Sequence, residues 1–236
     1  MADRFFTPDA IGVGDYVLTG AEAHHLATVR RLGPGAGVTL FNGDGHEYLA
    51  EVVSVAKKAV VLHIASILSI QRELNFPLVI ASALPKGDRA DFLIEKLTEL
   101  GVTRFIPLVA ERSVVRPKVA AVEKFKRAVI EASKQCGRNK LMAIDPPCDW
   151  DELLTRPNLP ESRYLLHTDS GTPQLSKSVS GVVIAIGPEG GFSTQEIEKA
   201  KGNGWQILCL GPRVLRMETA ALVAATLFAA IEPRTQ

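Results

Sequence analysis

The stretch Val182-Val183-Ile184-Ala185-Ile186-Gly187-Pro188-Glu189-Gly190-Gly191 decides how this chain folds. An unbroken apolar run predicts a strand buried on both faces, which requires a sheet covered by helices on both sides. The Gly-Pro-Glu-Gly-Gly segment stops the strand. Ser193, with Glu196 three residues later, then makes a capping-box pattern that opens a helix. The same strand–loop–helix reading extends outward in both directions. Leu78–Leu84 is an apolar strand followed by Pro85-Lys86-Gly87 and a helix from Asp88 to Gly101, with Leu93, Leu97 and Leu100 on one face. Phe105–Val109 precedes a basic helix from Val119 to Lys134, and Tyr164–His167 is a further strand. Gln206–Leu210 leads through Gly211-Pro212-Arg213 into the apolar helix near the C-terminal end. Apolar strands alternating with helices predict an α/β domain built on a parallel sheet.

Upstream of Leu74 the pattern changes. Val38–Phe41, Glu47–Val55 and Ala59–Ile70 are β-rich runs separated by turns such as Asn42-Gly43-Asp44-Gly45, and one short helix is expected over Ala21–Arg31. These runs predict a small barrel or twisted sheet. The change of period at Ser69–Leu74 places a boundary, giving two domains, residues 1–71 and 74–236.

Composition agrees with two folded domains. A chain of 236 residues that is 46% hydrophobic and 22% charged buries a real core, which excludes disorder. The formal charge of +1 hides a gradient, because residues 72–140 hold 14 basic and 8 acidic side chains while both flanking segments are acidic on balance. That basic band is either a solvated helix face or an anion-binding surface. Cys136, Cys148 and Cys209 show no CxxC spacing, so neither a disulfide framework nor a zinc site is expected. His24 and His25 are adjacent, about 100° apart on a helix, and cannot share a metal. The longest apolar run, Thr219–Ile231, is too short to span a bilayer and no leader opens the sequence; a cytoplasmic protein without membrane partners is expected.

Three loops fall at the carboxyl ends of expected strands, where open α/β sheets bind ligands: Leu166–Asp169, Gly187–Gly191 and Leu210–Arg216. Paired glycines let backbone approach a ligand, and the helix that follows offers unpaired N–H groups. A tight turn alone would account for one such loop. The spacing matches neither the P-loop nor the dinucleotide fingerprint. Glu189 in the loop disfavours a phosphate and favours a ribose hydroxyl, an amine or a cationic ligand.

Together, Gly187-Pro188-Glu189-Gly190-Gly191-Phe192-Ser193 and Leu210-Gly211-Pro212-Arg213-Val214-Leu215-Arg216-Met217-Glu218-Thr219-Ala220 resemble the paired signature of the RsmE-type ribosomal RNA uridine-N3 methyltransferases, of the SPOUT class. Weaker matches run the length of the chain in the right order: Arg4-Phe5-Phe6, His24-His25, Lys86-Gly87-Asp88-Arg89, Glu111-Arg112-Ser113 and Gln135-Cys136-Gly137-Arg138. The resemblance implies a PUA-like β-barrel joined to a SPOUT domain with a deep C-terminal trefoil knot, assembled as a homodimer. It implies S-adenosylmethionine as methyl donor, no metal, and small-subunit (16S) ribosomal RNA as substrate.

Carried onto this chain, the donor site falls on Leu166, His167, Gly187, Glu189, Gly190, Gly191, Leu210, Gly211, Leu215 and Arg216. Catalytic candidates are Arg216, to stabilise charge on the uracil oxygens, with Glu218 and Glu189. RNA contacts are expected from Arg4, Arg31, Lys86, Arg89, Arg112, Arg116 and Arg138. Two other readings share these features: a ribose 2′-O-methyltransferase of the same class, and a non-catalytic RNA-binding protein with an inactive knot domain.

Overall fold

The computed structural model describes residues 3–168 and 180–230, so Asp169 of the first candidate loop and Ile231 of the apolar run lie outside the described residues. The chain forms two compact units, Met1–Glu73 with Ser133–Leu141, and Leu74–Ala132 with Met142–Gln236.

In the first unit, β1 (Asp3–Phe6), β2 (Gly14–Thr19), β3 (Gly37–Phe41), β4 (His46–Val55) and β5 (Ala59–Ser69) form a sheet in the order β1-β3-β4-β5-β2. β1 runs parallel to β3 and the other pairs are antiparallel. One face buries Phe5, Leu18, Leu40, Val52, Leu62 and Ile64. The Asn42–Gly45 turn closes on its own side chains: Asn42 Oδ1 accepts from the Asp44 amide at 3.1 Å and Asp44 Oδ1 from the His46 amide at 2.8 Å. The helix expected over Ala21–Arg31 is shorter and wider. α1 (Gly20–His24) passes into a π turn, His25–Val29, and Arg31 leaves it at φ 55°.

Ser133–Leu141 was expected within the second domain; its contacts put it in the first unit instead. Its charges explain this. The Arg138 guanidinium grips Glu73 at two points, Nε to Oε1 at 3.1 Å, and its side chain is 4% exposed. Arg4 and Arg72 both pair with the buried Glu47; Arg4 also donates to Asn139 Oδ1 at 2.7 Å, and Arg72 to the Gly137 carbonyl at 2.8 Å. Lys134 pairs with Glu22. Burial alone would raise the Glu47 carboxyl, but the hydrogen bonds from Arg72 and Arg4 outweigh it and hold the group below its ordinary value.

The second unit holds β6 (Leu78–Ser82), α2 (Arg89–Glu99), β7 (Arg104–Val109), α3 (Val119–Cys136), β8 (Ala143–Ile144), β9 (Cys148–Asp149), α4 (Trp150–Thr155), β10 (Ser162–Leu166), β11 (Val182–Ile186), α5 (Thr194–Gly202), β12 (Gln206–Leu208) and α6 (Met217–Ala229), the last turn of α3 belonging to the first unit. The sheet runs β12-β10-β11-β6-β7-β8 with every pair parallel, and β9 pairs β7. Both faces are buried, as the apolar run of β11 requires. Val79, Ala81, Val183, Ala185 and Leu165 pack with Trp150, Phe192 and Trp205, while Tyr164, of opposite parity, meets Phe228 of α6 in a tilted ring contact, centroids 5.3 Å apart. The chain builds outward from β6 to β8, then resumes on the other side at β10 and β11. Sheets of this kind take ligands at the carboxyl ends of their strands.

Candidate methyl-donor site

Strand register assembles the site. Tyr164 of β10 lies opposite Ile184 of β11 on one side and Gln206 of β12 on the other, so the loops that leave these three strands emerge together. The His167 amide donates to the Leu208 carbonyl at 3.1 Å and carries the pairing one residue beyond β10. Between the loops lies a cavity of about 520 Å³. A volume of roughly 300–1,000 Å³ is what a cofactor-sized ligand needs.

Each residue expected in the donor site lines this cavity: Leu166, His167, Gly187, Glu189, Gly190, Gly191, Leu210, Gly211, Leu215 and Arg216. The sequence reading missed others. Ile186, Phe192, Leu208, Met217 and Ala220 give it an apolar wall, and Arg112 and Arg213 stand at its edge. The apolar residues belong to the same strands and helix as their expected neighbours, so hydrophobic period alone marked them as core rather than cavity.

Local chemistry fixes the loops. A Cβ at Gly187 would come within 3.0 Å of the Phe192 ring, so only glycine lets that ring close beneath the loop. Gly211 sits at φ +102°, which L-residues rarely adopt. The expected capping box at α5 is present: Ser193 Oγ accepts from the Glu196 amide, and Glu196 Oε2 accepts from the Ser193 amide at 2.8 Å. The other oxygen of Glu196 accepts from the Glu111 amide at 2.8 Å, tying the strand-β7 loop to α5. Arg112, next along, donates Nη1 to the Gly190 carbonyl at 2.8 Å.

The expected catalytic groups separate. Glu189 is exposed in the cavity wall, and Arg216 is the exposed residue preceding α6. Glu218 does not line the cavity; its buried carboxylate receives Arg89 Nη1 at 3.2 Å. The expected RNA contacts separate too. Arg31, Lys86, Arg112 and Arg116 are exposed, whereas Arg4 and Arg138 are interior side chains held by carboxylates. Enclosed in this way, these two guanidinium groups spend their hydrogen bonds inside the first unit. Among the described residues no cluster of His, Cys, Asp and Glu could hold a metal, and no helix is long and apolar enough to cross a membrane.

A small β-rich unit thus precedes a parallel α/β sheet with a cavity at its carboxyl edge, and both parts match domains of RNA-modifying enzymes. The RNA methyltransferase domain profile matches residues 72–229, and the RNA methyltransferase PUA domain profile matches residues 18–65. A Synechocystis sp. protein named ribosomal RNA small subunit methyltransferase E is 35% identical over 92% of this chain and 73% of its own length. A Legionella pneumophila structure solved with the bound cofactor SAM superposes with a TM-score of 0.91 at 34% identity, covering 98% of both chains. The ribosomal RNA small subunit methyltransferase E of Neisseria gonorrhoeae, bound to S-adenosyl methionine, also gives 0.91, at 29% identity over 98% of both. This chain belongs to the ribosomal RNA small subunit methyltransferase E family.

Proposed function

We propose that this protein transfers a methyl group from S-adenosylmethionine to N3 of a uridine in small-subunit (16S) ribosomal RNA. The observation that carries the reading is the cavity at the carboxyl edge of the sheet, which the residues of the two signature loops line. The solved Legionella and Neisseria structures that hold this donor support it.

The residues fit such a donor. Its adenosine and methionine parts need apolar wall and backbone polar groups, which Leu166, Leu210, Leu215 and the glycine loop supply. Its positive charge suits the carboxylate of Glu189. When bound it supplies an activated methyl on a sulfonium. The N3–C bond forms as the C–S bond breaks, the bonding pair stays on sulfur, and the N3 proton must leave to a base. Glu189, the carboxylate of the cavity wall, is the group proposed to take it. Arg216 stands before the N-terminus of α6, where guanidinium and helix dipole both favour negative charge gathering on the uracil oxygens.

Further parts of the reading follow from the family. They are a closed PUA-like barrel over residues 1–71, a SPOUT domain over 74–236 with a C-terminal trefoil knot, a homodimer and a cytoplasmic setting. Val223 and Leu227, one helical turn apart on α6 and both exposed, support a subunit contact there. Arg31, Lys86, Arg112 and Arg116 are the exposed cations proposed for RNA phosphates.

The test is methylation of free 16S RNA and of assembled small subunits with labelled donor, followed by nucleoside analysis. N3-methyluridine is the expected product. A 2′-O-methylnucleoside, or no modification of either substrate, overturns the reading.

A further inference from the structure

Arg89, expected to touch RNA, lies between two carboxylates. In β6 and β11, Ser82 lies opposite Ile186, and the Ala83 amide donates to the Ile186 carbonyl at 3.0 Å. The segment leaving β6 therefore runs beside the loop leaving β11. Gly87, at φ +65°, turns the chain so that α2 opens at Arg89. There the guanidinium meets two carboxylates from two other parts of the unit. Nη1 donates to Glu218 Oε1 at 3.2 Å, and Nη2 lies 3.8 Å from Glu189 Oε1.

The two carboxylates differ in their surroundings. The Glu218 side chain is 9% exposed and that of Glu189 is 48% exposed. Glu218 Oε2 is buried without a hydrogen-bond partner. A buried carboxylate that lost its cation would be strongly unfavourable, so Arg89 and Glu218 form the fixed half of the cluster. The longer, water-screened approach to Glu189 is the adjustable half. Glu218 follows Arg216 and Met217, which line the cavity, and Glu189 lines it from the opposite loop. One guanidinium thus links Glu189 of the cavity wall to Glu218 behind it and sets a positive charge between two negative ones.

We infer that Arg89 is a positioning residue of the methyl-donor site, anchored on buried Glu218 and holding Glu189 of the glycine loop at the cavity wall. The inference rests on the donor-site reading given above. Glu218 accordingly acts through Arg89 and does not touch the reacting atoms.

The test compares Arg89→Ala, Arg89→Lys, Glu218→Gln and the double variant Arg89→Ala/Glu218→Gln with the full wild-type chain. The readouts are calorimetry with S-adenosylmethionine, KM for donor and for RNA, and RNA affinity across a salt series. Arg89→Ala is expected to weaken donor binding and raise donor KM about tenfold, with RNA affinity and its salt slope unchanged. Arg89→Lys, which keeps the cation but not the two-pronged reach, is expected to lose donor affinity, though less than Arg89→Ala. The double variant is expected to lose no more than the larger single loss, as one connected unit should.

Donor affinity within about twofold of wild type in Arg89→Ala overturns the inference. So does a loss of RNA affinity with a shallower salt slope, which would make Arg89 a phosphate contact. If Arg89→Ala does not fold, the near-isosteric Glu218→Gln decides, since the inference requires it to weaken donor binding too. Wild-type protein that binds no donor overturns the proposed function and the role of Arg89 with it. Wild-type protein that binds donor as tightly as the variants overturns the role of Arg89 alone.

Discussion

Arg112 Nη1 donates to the Gly190 carbonyl oxygen at 2.8 Å, so the first basic residue after β7 braces the glycine loop after β11. Two loops from strands that are not neighbours in the sheet are joined by one side chain at the cavity edge.

Removing that brace should loosen the loop. Arg112→Ala is expected to lower S-adenosylmethionine affinity about fivefold, as loss of a charge-assisted hydrogen bond would. Calorimetry checks this, and unchanged donor affinity would leave Arg112 to the RNA alone.

Gly211 offers a test of backbone. At φ +102° an added Cβ is strained whatever the space, and Gly211→Ala should cost about 1–2 kcal/mol locally. The expected result is weaker donor binding with a small drop in Tm, read by calorimetry and thermal unfolding. An alanine variant with wild-type donor affinity would show that the loop has no need of that conformation.

Arg138 should report stability instead of RNA binding. Arg138→Ala leaves Glu73 without its partner in a site where the arginine is 4% exposed, and about 3–5 kcal/mol of destabilisation is expected. Denaturant unfolding measures it. A variant as stable as wild type with impaired RNA binding would restore the surface role.

Glu47 sets an acid limit on the first unit. Burial would raise its pKa, but Arg72 and Arg4 hold it below the ordinary 4.5, so the folded group is the stronger acid. Its contribution to stability is therefore complete above about pH 4.5 and is lost as pH falls through the depressed folded value. Thermal unfolding from pH 7 to pH 3 should show wild type losing Tm below about pH 4.5 more steeply than Glu47→Gln, which has no proton to gain. Parallel curves would remove Glu47 from the account.

Burial, assisted by the charge of Glu152, pushes the Cys148 thiol up to about 11. At pH 8 only on the order of one thiol in a thousand is then ionised. Mass spectrometry after labelling of the folded protein with a thiolate-selective reagent should find Cys148 unmodified; rapid labelling would mean that the packing around it opens.

What could be read from the sequence was local. The apolar run of β11, the capping box of Ser193 and Glu196 and the two glycine loops each declare themselves within a dozen residues, and the loops they mark line the cavity. Pairings across the chain were invisible. Arg4 finds Glu47 43 positions away, and Arg89 finds Glu218 129 positions away; surface cation and interior cation look alike until the partner is seen. β8 and β9, at two residues each, are too short to carry a period. The helical pattern of α3 runs unbroken through Ser133, so nothing in it signals that its last turn belongs to the first unit.

That division bears on how the protein is made. Glu22, Glu47 and Glu73 are all synthesised before Lys134, Arg138 and Asn139 exist. Domains generally fold as units during synthesis, N-terminal first. Here the N-terminal unit cannot complete its ion pairs until translation has passed Leu141 and the nascent chain has cleared the exit tunnel. By then β6, α2 and β7 have also emerged. The first unit therefore stays open while β6, α2 and β7 emerge, and a chain ending between Glu73 and Ser133 would lack Lys134, Arg138 and Asn139.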